Sequence, residues 1–300
     1  MTVALLFLST LRYKAVKSAR KSAMDKAWKA ARRGPVPDNA QLPSTYFMYV
    51  LGSGGHTGEL CEMIKQQFRP NPRSHRRYII TSGDRHSINA VERLEGLISQ
   101  TFPPDAQGVS PGGTWDISHV VRARRVHQPL YTAWLSALQS ALSIVQALLR
   151  PPPPPPSPTT NSSSSSSPAI QRPPAKGDGR ATRRVEPFTY PNLIVTNGPG
   201  TGFIVCFVAF VLKMLWVIPA DRCSILFIET WAHVSTLSLT GKLFRYSGIA
   251  DLFVVQHEPL AKTTGQRFIG DVTRYGNLLG IRKPFRRVKP KTRISIQPEE

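Results

Sequence analysis

The stretch that decides the fold is Tyr46-Phe47-Met48-Tyr49-Val50-Leu51 followed by Gly52-Ser53-Gly54-Gly55-His56-Thr57-Gly58-Glu59. The apolar run predicts a buried strand, and the pattern that starts near Glu59 predicts a helix, so the glycines form a tight strand-to-helix turn. Glycine lets the backbone approach an anion closely, and the free N–H groups of a helix start attract phosphate. The stretch therefore predicts a phosphate or pyrophosphate site in an α/β fold. An ordinary turn without a ligand is the alternative.

This glycine turn differs from two well-known nucleotide-binding loops. Gly52 and Gly54 fit the dinucleotide pattern G-x-G-x-x-G, but Thr57 stands where the third glycine belongs. A P-loop needs a lysine after its last glycine, and here Glu59 follows, whose carboxylate would repel a triphosphate. Neither a nicotinamide-dependent oxidoreductase nor a P-loop nucleotidase is therefore favoured.

Strand and helix patterns alternate along the rest of the chain. The predicted strands are 46–51, 78–81, 118–121, 193–196, 225–228 and 252–256. The predicted helices are 59–68, 87–97, 130–149, 202–217 and 237–246. This alternation predicts a parallel Rossmann-like sheet covered on both faces, with its ligand beyond the carboxyl ends of the strands. A second glycine turn, Asn197-Gly198-Pro199-Gly200-Thr201, and the carboxylate of Glu229 both follow such strand ends.

The positive charge lies outside the predicted sheet. Residues 12–33, 150–187 and 281–300 together carry 17 of the 21 net positive charges. Basic arms of this kind fit anionic lipid headgroups at least as well as nucleic acid. No zinc-finger spacing and no RNA-recognition motif is present, although a basic nucleic-acid-binding α/β protein remains the alternative function. The three cysteines, an odd number in apolar contexts, indicate a reducing compartment, and no metal site is predicted.

The sequence divides into an anchor, a domain and a tail. Residues 1–34 begin with a short apolar run and continue as a basic helix, while a spanning helix needs about 20 apolar residues. The segment is therefore a monotopic anchor, a spanning helix whose beginning is missing from the sequence, or a solvated helix. Residues 44–272 form the Rossmann-like domain, which a disordered Pro/Ser-rich insertion at 151–187 interrupts, and 273–300 form a basic tail.

The motifs at the strand ends resemble a known family when they are taken in order. They are the first glycine turn, the second glycine turn, Glu229, the run Leu237-Ser238-Leu239-Thr240-Gly241-Lys242 and the run Asp251-Leu252-Phe253-Val254-Val255-Gln256. The set resembles the family of asparagine-linked glycosylation protein fourteen, over about residues 46–272 outside the insertion. That family is similar to the N-terminal half of a glycosyltransferase-B fold with a membrane-associated N-terminal helix. With fewer than thirty residues after Val272, we expect no second Rossmann-like half here.

The resemblance implies one half of a split enzyme, N-acetylglucosaminyldiphosphodolichol N-acetylglucosaminyltransferase. This subunit would anchor a soluble catalytic glycosyltransferase subunit to the membrane and bind the acceptor, dolichol-pyrophosphate-N-acetylglucosamine. The reaction is the second step of dolichol-linked oligosaccharide synthesis for protein N-glycosylation. The partner would bind most of the donor, UDP-N-acetylglucosamine, so no cofactor is expected. The implied location is the cytosolic face of the endoplasmic reticulum membrane, with the contiguous nuclear membrane as a second site.

The resemblance also assigns roles at the strand ends. His56 and Glu229 are the candidate catalytic residues, as a base or as groups that orient the acceptor sugar. A turn-stabilising histidine and a helix-capping carboxylate are the structural alternatives for these two residues. Arg122, Arg124 and Arg125 are further candidates for phosphate or headgroup contacts. The acceptor pyrophosphate would lie against Gly52, Ser53, Gly54, Gly55, Thr57, Gly198, Gly200 and Thr201.

Four features depart from the pattern of the family. His233 stands where its members usually have arginine, and His257 stands where they have tryptophan. The apolar N-terminus is shorter and the basic C-terminus is longer than usual. The altered C-terminal part leaves open how this chain contacts its partner.

Overall fold

The computed structural model describes residues 9–22, 43–106, 108–122, 130–152, 188–198 and 200–270. Residues 9–22 are helical and are called α1. The elements that follow are β1 (Thr45–Val50), α2 (Gly55–Gln67), β2 (Ser74–Thr81), α3 (Arg85–Thr101), β3 (Thr114–Val120), α4 (Leu130–Leu149), β4 (Leu193–Thr196), α5 (Gly200–Met214), β5 (Ser224–Ile228), α6 (Leu239–Ser247), β6 (Leu252–Val255), α7 (Glu258–Thr264) and β7 (Arg267–Phe268).

The described strands form one parallel sheet in the order β3-β2-β1-β4-β5-β6-β7. Val50 at the end of β1 is paired with Ile79 of β2 on one side and with Thr196 of β4 on the other. The chain therefore winds outward from β1 to β3, returns to the centre, and winds outward again from β4. This confirms the predicted parallel α/β sheet and puts the topological switch point, where such sheets bind ligands, between β1 and β4.

The two faces of the sheet have separate cores. Leu60 of α2 and Val91 of α3 are buried on one face. On the other face, Leu148 of α4, Ala209 of α5 and Phe244 of α6 are buried. The change of face follows from the switch in winding direction, because strand crossovers in parallel sheets are right-handed.

Strand β2 begins upstream of Tyr78, its predicted start, and the added residues include two buried arginines. Arg76 forms a two-pronged ion pair with Glu95 of α3, with both N···O distances at 2.7 Å. Arg77 points to the other face and binds Asp116 of β3 at 2.7 Å. The prediction stopped short because a run of basic residues is typical of a solvated surface. Here each arginine is instead neutralised by a partner from another element.

Other differences lie at element ends. Strand β3 begins at Thr114 and not at Ser118, and the prediction omitted the short elements α7 and β7. The candidates Arg124 and Arg125, residues 153–187 of the insertion and the tail at 273–300 lie outside the described residues.

Helix α1 is attached to the domain by two arginines. Arg12 donates to the carbonyl oxygen of Lys213 from Nη2 at 2.7 Å and from Nε at 2.9 Å. Arg20 forms an ion pair with Asp251 and donates to the carbonyl oxygen of Ile249 at 2.7 Å. These contacts hold α1 against the ends of α5 and α6. No helix among the described residues is long and apolar enough to cross a bilayer, so the membrane association of the N-terminus stays a prediction.

Candidate functional site

The first glycine turn is shorter than predicted. Helix α2 begins at Gly55 and not at Glu59, so His56 lies in the first helical turn. Gly54 precedes the helix with φ of 65° and ψ of −130°, a conformation that side-chain-bearing residues rarely adopt. No atom lies within 4 Å of where a Cβ on Gly54 would stand. The turn therefore leaves open space at the helix N-terminus, where an anion is attracted by free N–H groups.

The second glycine turn touches the first. A Cβ on Gly198 would lie 3.0 Å from the nitrogen and 3.1 Å from the Cα of Gly52, so a larger residue there would push the two turns apart. Two residues later, the exposed Gly200 begins α5. The N-termini of α2 and α5 are thus neighbours at the switch point. Two adjacent helix starts can stabilise two negative groups, the arrangement that a pyrophosphate requires.

Glu59 joins three strand ends to helix α2. Its carboxylate accepts hydrogen bonds from Asn197 Nδ2 after β4 at 3.2 Å and from Thr230 Oγ1 after β5 at 2.9 Å. It also accepts from the backbone N–H of Trp231 at 2.9 Å and from Gln256 Nε2 after β6. Four donors on one carboxylate fix the loops after β4, β5 and β6 relative to the first glycine turn.

Three buried polar side-chain atoms on residues of the first glycine turn and of the strand ends have no hydrogen-bond partner. They are His56 Nδ1, Asn197 Oδ1 and Gln256 Oε1, among five such buried side-chain atoms in the described part of the chain. The other ends of the two amides are occupied, since Asn197 donates to the carbonyl of His56 at 3.0 Å and Gln256 donates to the carbonyl of Glu229 at 2.9 Å. Buried polar groups are rarely left unpaired, so their concentration at the strand ends is typical of a ligand or partner site.

Glu229 directly follows β5, and its side chain is buried against the start of α6. It is 1% exposed, and its carboxylate accepts from the N–H groups of Thr230 at 3.2 Å and Ser238 at 3.3 Å. Burial raises the pKa of Glu229, and the hydrogen bonds from Ser238 partly oppose that shift. A Cβ on Gly241 would collide with this carboxylate. These contacts are those of the helix-capping alternative, and a role in catalysis stays a prediction.

The remaining candidates differ in exposure. Ser53 is exposed and Thr201 is half-buried, so both lie within reach of a ligand at the turns. Thr57 is 0% exposed, and its hydroxyl contacts the carbonyl of Gly52 and the hydroxyl of Ser87, the latter at 2.7 Å. It therefore stabilises the turn from inside. Arg122 is exposed after β3, away from the switch point between β1 and β4.

The two histidines that depart from the family pattern flank Trp231. His257 Nε2 lies 2.6 Å from the carbonyl oxygen of Trp231, and the two rings are 5.7 Å apart. The N–H of His233 donates to the carbonyl of Thr230 at 3.1 Å. His233 thus lies in the loop after β5 that Glu59 holds in place, and His257, which follows β6, contacts that loop.

Sequence reasoning missed Glu59, Asn197 and Gln256 as site residues. The sequence contained a signal for the two amides, because Asn197 directly follows the predicted strand 193–196 and Gln256 ends the predicted strand 252–256. Glu59 was seen only as a residue that disfavours a triphosphate. The role of Glu59 depends on which strands lie beside β1, and a local sequence pattern does not predict the order of the strands.

The described residues contain no group of three His, Cys, Asp or Glu side chains that could hold a metal ion.

Comparison with known proteins agrees with this architecture. The sequence profile of the family described as "Oligosaccharide biosynthesis protein Alg14 like" matches residues 47–272, which include both glycine turns and Glu59. No solved structure matches the chain.

Several relatives are named UDP-N-acetylglucosamine transferase subunit ALG14. The protein from Cryptococcus neoformans is 29% identical over 236 residues, which cover 76% of this chain and 79% of the relative. The Schizosaccharomyces pombe protein is 25% identical over 242 residues, covering 80% and 90%. The Mus musculus protein is 28% identical over 213 residues, covering 71% and 76%. Nothing in these comparisons favours a nucleic-acid-binding protein.

Proposed function

Because the chain belongs to the Alg14 family of oligosaccharide biosynthesis proteins, we propose that it is a subunit of a UDP-N-acetylglucosamine transferase. Its task is to bind the lipid-linked acceptor and to recruit a separate catalytic subunit. The reaction is transfer of N-acetylglucosamine to dolichol-pyrophosphate-N-acetylglucosamine, the second step of lipid-linked oligosaccharide synthesis. The observation that carries the proposal is the pair of touching glycine turns at the N-termini of α2 and α5.

The acceptor pyrophosphate lies against these two helix starts in this proposal. Ser53, Gly54 and Gly55 are exposed at the first turn, and Gly200 is exposed at the second. Backbone N–H groups and helix dipoles can stabilise an anion without a lysine. Glu59 need not repel the ligand, because its carboxylate already accepts hydrogen bonds from four donors inside the fold. The buried hydroxyl of Thr57 supports the turn and does not contact the pyrophosphate.

The partner subunit brings most of the donor site. The names of the relatives describe a transferase subunit, which implies a heteromeric enzyme. The unpaired atoms of His56, Asn197 and Gln256 lie at the carboxyl edge of the sheet, where a second half would face the acceptor. We propose the cytosolic face of the endoplasmic reticulum membrane, or of the contiguous nuclear membrane, as the location of the assembly. The basic α1, which is attached to the domain, would face the anionic headgroups there.

The proposal is tested by reconstitution. The full chain and its co-purifying catalytic subunit are assayed separately and together with UDP-N-acetylglucosamine and a lipid-pyrophosphate-N-acetylglucosamine acceptor. Transfer is expected only from the mixture. Transfer by this chain alone would refute the split enzyme, and no transfer by any mixture would refute the assigned reaction.

Replacing Gly54 by aspartate is expected to lower the activity of the complex by about 100-fold or more, which corresponds to about 2.7 kcal/mol of lost transition-state stabilisation. The added carboxylate would occupy the open space before α2 and repel the pyrophosphate. The initial rate at saturating donor is the measurement. Gly108→Asp is the matched control, since Gly108 also has a positive φ and open surroundings but lies before β3 at the opposite edge. Equal losses of activity in the two variants would show that backbone strain, and not repulsion of the pyrophosphate, causes the effect.

Replacing His56 by alanine separates its two assigned roles. If its imidazole is the base, turnover falls by about 100-fold to 10,000-fold while partner binding is kept. His86→Ala is the control, because His86 is the second residue of α3 as His56 is of α2, but it lies beside β2. Unchanged turnover in His56→Ala would leave His56 with the structural role only.

A further inference from the structure

Two neighbouring helices on one face of the sheet have almost no charge. Helix α4 contains no Asp, Glu, Lys or Arg in its 20 residues. The charged residue of α5 is Lys213, which is 1% exposed and donates to the carbonyl oxygen of Cys223 at 2.7 Å. A helix that covers a sheet in water normally has a charged outer face, as α3 has with its exposed Glu92 and Arg93 on the opposite side of the sheet. Helices α4 and α5 lack such a face.

Large apolar side chains are exposed along these helices. Together they define the apolar face, which consists of Leu138 and Leu142 on α4, Phe207 on α5, and Leu215, Trp216 and Val217 directly after α5. Leu142 is 58% exposed and Trp216 is 60% exposed. Helices α4 and α5 pack against each other, and several large exposed apolar side chains on adjacent helices mark a site of interaction.

Positive charge borders the apolar face on two sides. Lys14 and Lys17 are exposed on α1, and Lys242 and Arg245 are exposed on α6, which packs beside α5. Neither the described residues 9–22 nor α6 contains an acidic residue. The guanidinium of Arg12 lies 4.9 Å from the ring centre of Trp216, which joins an aromatic side chain to a cation at the border. Apolar side chains bordered by cations, with a tryptophan at the border, are complementary to the acyl chains and headgroups of an anionic bilayer.

Helix α5 connects the N-terminal helix to the candidate site. It begins at Gly200 in the second glycine turn, and near its end the carbonyl of Lys213 accepts the hydrogen bonds from Arg12 of α1. Fifteen helical residues span about 22 Å. Helix α5, which carries part of the apolar face, therefore extends from α1 to the edge of the sheet at which the acceptor site is proposed.

We propose that the apolar face of α4 and α5 is a bilayer-docking surface, with the cations of α1 and α6 at the level of the lipid headgroups. The domain itself then contacts the membrane, in addition to the N-terminal segment. The pyrophosphate of a lipid-linked acceptor leaves the bilayer at headgroup depth, next to the start of α5. Only this last step rests on the proposed function.

Vesicle binding by the full chain tests the proposal. The parent chain and a Leu142→Glu/Phe207→Glu variant are sedimented with vesicles of phosphatidylcholine and phosphatidylserine. The variant is expected to bind with an apparent Kd at least about tenfold higher, a change of about 1.4 kcal/mol. The control is Leu97→Glu, which alters an exposed leucine of α3 on the opposite side of the sheet and should bind as the parent does. Parent-like binding by the double variant would overturn the docking surface.

A protein partner is the competing occupant, and the same variants address it. Capture of the catalytic subunit and self-association are measured beside vesicle binding. If the double variant loses either of these and keeps vesicle binding, the face belongs to a protein interface and the proposal fails. Vesicle binding requires neither sugar donor nor acceptor, so failure of the proposed transferase function would leave this result unchanged.

A second measurement does not depend on the charged variants. Brominated acyl chains quench tryptophan fluorescence on contact, and Trp216 is the tryptophan on the apolar face. The measurement is made in a chain in which Trp28 of the anchor segment and Trp134 of α4 are replaced by phenylalanine, and quenching is expected to fall when Trp216→Phe is added to it. Equal fractional quenching in both proteins would place Trp216 away from the bilayer and overturn the proposal.

Discussion

The activity of the reconstituted transferase is expected to fall about 100-fold when Glu59 is replaced by glutamine. The Glu59 carboxylate accepts four hydrogen bonds, from Asn197, Thr230, Trp231 and Gln256. An amide of the same shape keeps one acceptor oxygen and turns an NH₂ group toward the other two donors. Two buried donors then lose their acceptor, at about 1–3 kcal/mol each, and the loops after β4 and β5 shift. Displacement of reacting groups by about 1 Å can cost 100-fold in rate.

The matched control for this variant is Glu62→Gln. Glu62 lies one helical turn further along α2, where its carboxylate faces Lys65 and Gln66 at the surface. Activity of the complex and binding of the catalytic subunit are measured for both variants. Glu59→Gln should lose turnover and Glu62→Gln should keep it, with both chains folded. If the Glu59 variant retains parental activity, the carboxylate does not position the site.

The largest loss of stability is expected from Glu95→Ala. This change removes the partner of Arg76, which is buried in β2, and it also removes the acceptor of the Tyr78 hydroxyl. Breaking a buried ion pair by deleting one partner costs about 3–5 kcal/mol, because the remaining charge stays in the interior without compensation. Domains are typically stable by about 5–15 kcal/mol, so this change removes a large fraction of the free energy of unfolding. The free energy of unfolding in urea is the measurement.

Two further chains test the cause of this loss. Glu92→Ala alters an exposed carboxylate on the same helix and should change the free energy of unfolding by less than about 0.5 kcal/mol. The double variant Arg76→Met/Glu95→Leu removes both charges together, and apolar replacement of a buried pair is often neutral. It should therefore recover most of the loss. A double variant as unstable as Glu95→Ala would show that packing, and not the unpaired charge, causes the effect.

Local sequence patterns predicted the elements that position the candidate site. The strand ending at Leu51, the glycines that follow it and the second glycine turn at Gly198 were all predicted, and the structure brings the two turns into contact. The parallel sheet followed from the alternation of strand and helix patterns. These predictions hold because hydrophobic periodicity and glycine punctuation act over a few residues.

The errors came where tertiary contacts outweighed local propensity. Helix α2 was expected to start at Glu59, since Gly55 and Gly58 are poor helix formers, yet it begins at Gly55. Its first turn is held by the buried hydroxyl of Thr57, which contacts Ser87 of α3. A contact across thirty residues of sequence has no local signature.

The sequence by itself determined the parallel α/β class, the glycine turns at strand ends and the placement of the positive charge on the arms. Only the tertiary structure decided that Glu59 binds the loops after three strands, that Arg76 and Arg77 are buried, and that the uncharged sides of α4 and α5 lie together beside a basic helix. The physical reason is the distance along the sequence over which each interaction acts. Strand and turn preferences depend on neighbouring residues, whereas ion pairs, shared hydrogen bonds and surface patches depend on the order in which strands come together in the sheet.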